Sequence, residues 1–557
     1  MSEASKEPDS VEGIHADDEK RTSTRTESND NPAPKDADNP QHITGLKLGL
    51  VVVSLVLACF LLLLDTSVIS TAIPQITDEF HSLADVGWYG SAYTLGSAAL
   101  QPLTGKVYHN FSLKWSFLAF FALFELGSVL CGAAKSSAML IGGRVVAGVG
   151  GSGLLNGAIT IISASVPFER RPALIGMMMG ISQLGTVAGP LIGGAFTTGV
   201  TWRWSFYINL PLGALVAIPV VLIHIPEQRT KDKALRVLRH LHRHLDLVGF
   251  ALFAPAVIQL LLALQYGGVH YPWNSSQVIG LFVGAGATFI VWCIWNYRKG
   301  DDALIPVSIV KKRVVWASAI NYGLVLSTLF GTSYFLPIYF QAVKGVNAIL
   351  SGVYLLPTIL SQLVFAIASG VLVTKIGFVP PFALVSAALT AIGTGLFSLF
   401  QPNTSTGMWI GFQILAGAGR GMGLQMPIVA VQSSTETKDL STSTAILVFA
   451  QYIGPTIFLT LYNTIFSTSL TPQLHTHAPN ANVQAIINAG ATRFRKIVDP
   501  SDLPGVLIAY SNSIDRVYYL VAAIGAVAFF AAFGMGWKDI RKKDDKTLQS
   551  QPPLAEP

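Results

Sequence analysis

"LIGGRVVAGVGGSG", Leu140 to Gly153, comes back later in the chain as "WIGFQILAGAGRGMG", Trp409 to Gly423. Gly142, Ala147, Gly148 and Gly150 align with Gly411, Ala416, Gly417 and Gly419, and Arg144 aligns with Gln413. The correspondence extends outward. "GKVYHNFSLKW" (105–115) answers to "GVLVTKIGF" (370–378), and Gly189-Pro190 to Gly454-Pro455, with the offset staying near 265–269 residues. The chain is therefore two related halves arranged in parallel.

Composition says what kind of halves. Of 557 residues, 51% are hydrophobic and 12% charged, with a mean hydropathy of +0.51. A soluble domain carries about 25% charged residues. A run of about 20 apolar residues crosses a bilayer. Such runs fall near 48–72, 89–108, 115–134, 139–163, 173–199, 204–224, 246–267, 277–297, 315–342, 350–373, 379–400, 407–432, 441–467 and 516–537. The expected fold class is an all-α polytopic membrane protein: two six-helix bundles, 44–226 and 301–540, plus two inserted helices, fourteen in all. The segment 227–300 holds an amphipathic cytoplasmic linker and the inserted pair, and the second bundle carries a long outer loop at about 468–515. Residues 1–43 are polar and too poor in apolar surface to offset the entropy of ordering, so they read as a disordered cytoplasmic tail, with 541–557 as a second tail. No cleavable signal pattern precedes the first apolar run, which is expected to serve as an uncleaved anchor.

Charge sets the orientation. With both ends in the cytoplasm, the inner loops collect Arg170, Arg171, Arg229, Lys231, Lys233, Arg236, Arg239, Arg243, Arg298, Lys299, Lys311, Lys312 and Arg313. The outer loops hold isolated cations until Arg493, Arg495 and Lys496. That asymmetry satisfies the positive-inside rule. The sequons at Asn274 and Asn403 then lie outside as candidate glycosylation sites, and the one at Asn110 lies inside. "QRTKDKALRVLRHLHRHLD" (228–246) places Leu235, Leu238, Leu241 and Leu245 on one helical face, which suits an anionic inner leaflet; the alternative is a solvated linker. The net charge of +6 thus follows from membrane orientation, and no nucleic-acid partner is expected. Cys59, Cys131 and Cys293 sit in or beside apolar runs without metal-ligand spacing, so neither a disulfide framework nor a metal site is expected.

Weak internal symmetry in a polytopic chain marks secondary transporters, whose site lies near the midplane between the halves. Here the sequence resembles the major facilitator superfamily in its 14-span drug:proton antiporter group, from about 45 to 540. "LDTSVISTAIP" (64–74) is similar to that group's helix-1 motif, "GRVVAGVGGSG" to its helix-4 motif, and "GTVAGPLIGG" (185–194) to its helix-5 antiporter motif, followed by the family-like "TWRWSFYINLP" (201–211). "YFLPIYFQAVKGV" (334–346), "GLQMPIVAVQ" (423–432) and "INAGAT" (487–492) resemble fungal toxin and metabolite exporters. One motif departs: the helix 2–3 loop usually reads Gly-x-Leu-x-Asp-Arg-x-Gly-Arg-Arg, and this chain has Gly105, Val107, His109, Asn110, Ser112, Leu113 and Lys114 there. Its acid–arginine relay is missing.

The groups able to do chemistry are few. A charge near the bilayer centre is costly and usually faces a cavity or a partner. Asp65 is the first such group. A carboxylate whose partner comes and goes with conformation binds and releases a proton, which makes Asp65 a proton-coupling residue; the alternative is a helix cap or fixed ion pair. Arg144 is always charged and needs an acceptor. The resemblance puts it on the proton path, against a structural tie to backbone carbonyls. Glu125 is a second proton site, a substrate contact or a lipid-facing residue. Gly105 and Lys106, with Gly185, Gly189, Pro190, Gly193 and Gly194, form the conformational motifs. Small residues let backbones approach closely, and Pro190 removes a helix hydrogen bond. A static packing seam is the alternative. Substrate-binding candidates are Gln183, Tyr334, Tyr339, Gln341, Gln413, Gln425 and Gln432, by resemblance and polarity. The second half has almost no mid-membrane carboxylate, which favours an amphipathic or apolar substrate over a cation.

"AGVGGSG" lacks the Lys-Ser/Thr ending of a phosphate-binding loop, so the expected energy source is an ion gradient rather than ATP, and the resemblance implies that the ion is the proton. No catalytic triad or cofactor motif is present, and no enzyme activity is expected. The expected function is proton-coupled efflux of small hydrophobic or amphipathic compounds by a monomer in the plasma membrane. The alternatives are a siderophore or vacuolar amino acid transporter of the same fold, and a non-transporting membrane sensor.

Overall fold

The computed structural model describes residues 42–81, 85–227, 231, 236–237, 245–268, 271–436 and 439–542, all within the unit 41–557. Of the two expected tails, 1–43 and 541–557, residues 1–41 and 543–557 lie outside the described residues, as does most of the basic segment 228–246.

Among the described residues the chain is helix and turn, with no strand. The first half is built from α1 (Gly45–Phe80), α2 (Val86–Asn110), α3 (Leu113–Gly132), α4 (Ser137–Ser165), α5 (Arg171–Ser182), α6 (Leu184–Gly199) and α7 (Asn209–Leu222). The inserted pair is α8 (Leu247–Tyr266) and α9 (Ser276–Lys299). The second half follows as α10 (Arg313–Ile338), α11 (Leu356–Ile376), α12 (Pro380–Leu396), α13 (Thr406–Gly423), α14 (Met426–Ser434), α15 (Leu440–His477), α16 (Val483–Arg493) and α17 (Leu503–Ala532). Helices are the natural solution in hydrocarbon, where each backbone polar group must find its partner within the segment. Thirteen helical segments among the described residues are long and apolar enough to cross a membrane. The remaining expected span is α2. Its 25 residues suffice for a crossing, but Ser97, Gln101, Thr104 and Lys106 lower its hydropathy, and all four are buried against neighbouring helices. Its neighbours, rather than its own hydropathy, hold it in the membrane.

The repeated stretch forms the hub. Of the central window of Ser137–Ser165 and of Thr406–Ser434, 83% is buried, against 17% for Ser276–Asp302, which puts the repeat at the centre and α9 at the lipid-facing rim. Aligned glycines do the same job in both halves. A side chain at Gly148 would strike the backbone of Tyr93 in α2, and one at Gly417 would strike the Thr358 carbonyl in α11.

Four expectations about helix boundaries are corrected. The run 173–199 is interrupted at Gln183, where Gln183 N donates to Gly180 O at 3.3 Å and separates α5 from α6. The run 407–432 breaks at Leu424-Gln425, because Pro427 opens α14 and cannot donate to the turn before it. The long outer loop of 468–515 contracts to 478–502, with α16 inside it. The Ser/Thr-rich end of α15 reads as polar, yet Leu470 and Leu474 are buried in a cluster with Phe335 and Tyr510 that holds it helical. The last span starts at Leu503 rather than 516, which brings Asp515 well inside α17.

Both described chain ends sit on one face, here the terminal face: Ile43 N donates to Ser165 O at 3.0 Å and Ile540 N to Gly377 O at 2.8 Å. Replacing Gly417 with Leu should abolish the monodisperse peak in fluorescence-detected size-exclusion chromatography, since overpacking of a tight contact costs about 1–3 kcal/mol or more. Gly411→Leu, aligned with Gly142 and facing open space, should leave the peak intact.

Candidate functional site

Asp65 lies in the middle of α1, and Arg144 two turns into α4. Arg144 Nη1 donates to Asp65 Oδ2 at 2.5 Å, with both side chains excluded from solvent. The guanidinium spends its remaining capacity locally. Nε donates to the Tyr89 carbonyl at 2.9 Å, and the group lies 4.8 Å from the ring centroid of Tyr93 and 5.9 Å from that of Phe206. Aromatic faces attract a cation most where water is excluded. The second carboxylate oxygen of Asp65 accepts from Asn209 Nδ2 at 3.3 Å, and the same amide reaches Ser128 Oγ at 3.0 Å.

That chain of polar groups points onward to Glu125. Ser128 is one turn along α3 from Glu125, and Gly213 one turn along α7 from Asn209. A side chain at Gly213 would collide with the Glu125 carboxyl, so the glycine makes the room. Both Glu125 oxygens are buried and have no hydrogen-bond partner among the described residues.

Arg144 also borders a cavity of about 800 Å³. Its floor is formed by Leu155, Met178, Met179 and Leu424, and its mouth by Gly90, Gly268, Trp273 and Thr468, at helix ends opposite the terminal face. The lining is mostly apolar. Toward the terminal face the halves touch directly. Ser441 Oγ donates to Gly105 O at 3.1 Å, and a side chain at Gly105 would press on the backbone of Thr442. Gly176 lies against Ala366 O and Gly370 against Pro172 O. Gln432 Nε2 donates to Ser163 Oγ at 2.8 Å.

The structure brings two of the seven substrate-binding candidates, Gln183 and Tyr334, to the cavity wall. The other five are elsewhere. Tyr339 is buried against Phe400 and donates to Gln401 O at 2.9 Å. Gln341 reaches Ser351 Oγ at 3.3 Å, and Gln413 accepts from Thr358 Oγ1 at 2.9 Å. Gln425 donates to Ala366 O and Ser369 Oγ, each at 2.8 Å, and Gln432 makes the bond to Ser163. Of the motif residues, Gly185, Gly189 and Gly193 face α1 at Phe60, Ser67 and Thr71, whereas Gly194 faces open space. Pro190 lies inside α6 without ending it. Lys106 is buried, its Nζ 3.5 Å from Asp302 O, among the carboxylates of Asp246, Asp301, Asp302 and Asp439. Asn274 and Asn403 are exposed in turns at the face opposite the termini.

Asn209, Ser128, Asp515 and Tyr518 escaped the sequence reading. Asn209 and Ser128 complete the Asp65 network; an amide near the start of an apolar run was the available signal. In the second half Arg420 is buried, as are Asp515 and Tyr518 one turn apart on α17, and among the described residues Arg420 Nε and Nη2, Asp515 Oδ1 and Tyr518 Oη have no hydrogen-bond partner. Hydropathy had left Asp515 at the edge of a loop. Among the described residues no three His, Cys, Asp or Glu side chains converge as a metal site would need.

Two repeated bundles closed on one face around a cavity that opens on the other make the architecture of a membrane transporter. The chain belongs to the Major Facilitator Superfamily, whose family model matches residues 55–459. It is 56% identical to the MFS-type transporter pigP of Monascus ruber over 504 residues, covering 90% of this chain and 88% of that protein. It is 51% identical to the efflux pump mlcE of Penicillium citrinum, covering 91% and 93%. Among solved structures, the proton:xylose symporter XylE bound to 6-bromo-6-deoxy-D-glucose shares the fold, with a TM-score of 0.56 at 14% identity over 89% of this chain and 98% of that one.

Removing one partner of a buried ion pair leaves the other charge uncompensated, at a cost of about 3–5 kcal/mol. Asp65→Asn should therefore lower the melting temperature of the purified protein, and the double replacement Asp65→Asn with Arg144→Gln should recover part of the loss.

Proposed function

We propose that this chain exports small hydrophobic or amphipathic compounds in exchange for protons, by alternating exposure of the central cavity. The observation that carries the reading is the cavity itself: it is mostly apolar, large enough for a drug-sized compound, and bordered by Arg144, whose buried partner is Asp65. The relatives named as efflux pumps support the direction of transport. In this mechanism Asp65 takes a proton from the open mouth and loses the charge that balances Arg144. The guanidinium is then free to turn toward the cavity, and Asn209 and Ser128 link the event to Glu125. The halves rock about their contact, separating Gly105 from Ser441 and Gly176 from Ala366, while the glycine face of α6 slides on α1. Lys106 and the carboxylates around it stand in for the missing acid–arginine relay and hold the terminal face shut. The reading places a monomer in the plasma membrane with both termini cytoplasmic.

The test is efflux of labelled neutral metabolites from yeast expressing the chain, with and without a protonophore. Gradient-driven export should fall by about tenfold or more in Asp65→Asn, as expected when a proton-transfer group is lost. Export that survives the protonophore, or an Asp65→Asn chain with unchanged rate and pH profile, would sink the coupling role.

Orientation has its own readout. Asn274→Gln and Asn403→Gln should each remove one step of the mobility shift produced by a glycosidase, and Asn110→Gln should remove none. A shift lost only in Asn110→Gln would invert the topology.

A further inference from the structure

The cavity is lopsided. Its lining draws on α1, α2, α5, α10 and above all α15, which contributes Gln451 through Thr468, while α11 contributes nothing. The two seams between the halves are closed by different means. On one side, helices of the two halves pack directly: Gly180 meets Leu363, and Leu184, Val187 and Leu191 share a cluster with Leu355 and Ile359. On the other side, α2 and α15 meet near the terminal face, at Gly105 and Thr442. Nearer the mouth both line the cavity, and the inserted helix α8 joins them with Leu261, Leu264 and Gln265.

We propose that α8 is a wall of the binding cavity, and that Leu261, Leu264 and Gln265 select the compounds the cavity accepts. This rests on the transport reading above and adds the surface that sets its specificity. The helix is braced at both ends, as a wall must be. Phe253 packs on Phe449 of α15 at 5.2 Å between ring centroids. Tyr266 packs on Trp88 of α2 at 5.9 Å. Trp273 folds over Gly267 and Gly268, which have no side chain to obstruct it. Below, Asp246 caps α8 through Gly249 N at 3.2 Å and accepts from Trp295 Nε1 at 3.1 Å and Leu304 N at 2.7 Å. Two leucines and an amide that spends no hydrogen bond on the described protein suit a flat, neutral compound with an apolar body and one hydrogen-bonding edge.

Two measurements test it. In export assays with 7-methoxycoumarin and the larger Nile red, Leu264→Trp should lower the Nile red to methoxycoumarin ratio by about tenfold, the scale of steric discrimination in an apolar pocket. Ile290→Trp on the exposed side of α9 should leave it unchanged. An unchanged ratio in Leu264→Trp, with export retained, overturns the proposal. The second measurement needs no transport. In a chain whose native cysteines are replaced by serine, Gln265→Cys should react with a membrane-impermeant maleimide, and Nile red should slow that reaction. A cysteine at 265 that does not react, or reacts equally fast with Nile red present, overturns the wall. Protection without gradient-driven export would instead overturn the transport reading alone.

Discussion

A carboxylate and a guanidinium in the interior of a membrane protein are tolerable only together, and much of the first half is arranged so that Asp65 and Arg144 stay together. Each ion taken alone from water costs several kcal/mol even after relaxation, and the pair recovers that only with good geometry and with its remaining donors and acceptors satisfied. The Tyr89 carbonyl, the ring of Tyr93 and the Asn209 amide supply what the pair itself does not. These come from α2 and α7, so one ionic contact between α1 and α4 fixes the mutual positions of four helices. The tight glycine contacts of α4 set it against α2 at Tyr93 and against α3 at Cys131, Phe120 and Phe124, which holds Arg144 beside the α2 carbonyl and ring that receive it.

Among the described residues the second half has no matching buried pair. Gln413 stands where Arg144 would be and binds Thr358, while Arg420 and Asp515 are buried on separate helices, each with atoms that find no partner among the described residues. The halves therefore share a scaffold and differ in chemistry. The first carries an ion pair and its polar network beside the cavity, and the second carries the long α15 wall and buried charges on separate helices. The asymmetry is repeated at the seams, one closed by helix against helix and the other by an inserted helix.

The fold was legible because membrane insertion leaves a coarse signal. Runs of apolar residues, the 269-residue offset between Gly142 and Gly411 and the clustering of cations all register without any side-chain geometry. Asp65 and Arg144 were legible for the same reason, as charges where charges are expensive. What failed was finer. Tyr339, Gln413, Gln425 and Gln432 are polar groups in apolar helices, and polarity alone cannot separate an amide that binds its neighbouring helix from one that faces a cavity. Asp515 was hidden by a helix held together through tertiary burial of Val506, Ala509 and Tyr510 rather than by local hydropathy. Asn209 was hidden because its importance lies in two contacts from distant segments, Asp65 and Ser128.

The hydrogen bond between Gln432 and Ser163 has a geometric meaning of its own. The two residues are 269 positions apart, the same interval that separates Gly142 from Gly411, so they are equivalent positions of the two halves. Equivalent positions touch only where the internal two-fold axis passes between them. In a dimer of identical halves such a site would have to be self-complementary, serine meeting serine or glutamine meeting glutamine. Joining the halves in one chain lifts that requirement, and here the axis is bridged by a donor on one side and an acceptor on the other. The covalent link thus gives the molecule a fixed left and right at the point where symmetry would otherwise forbid one.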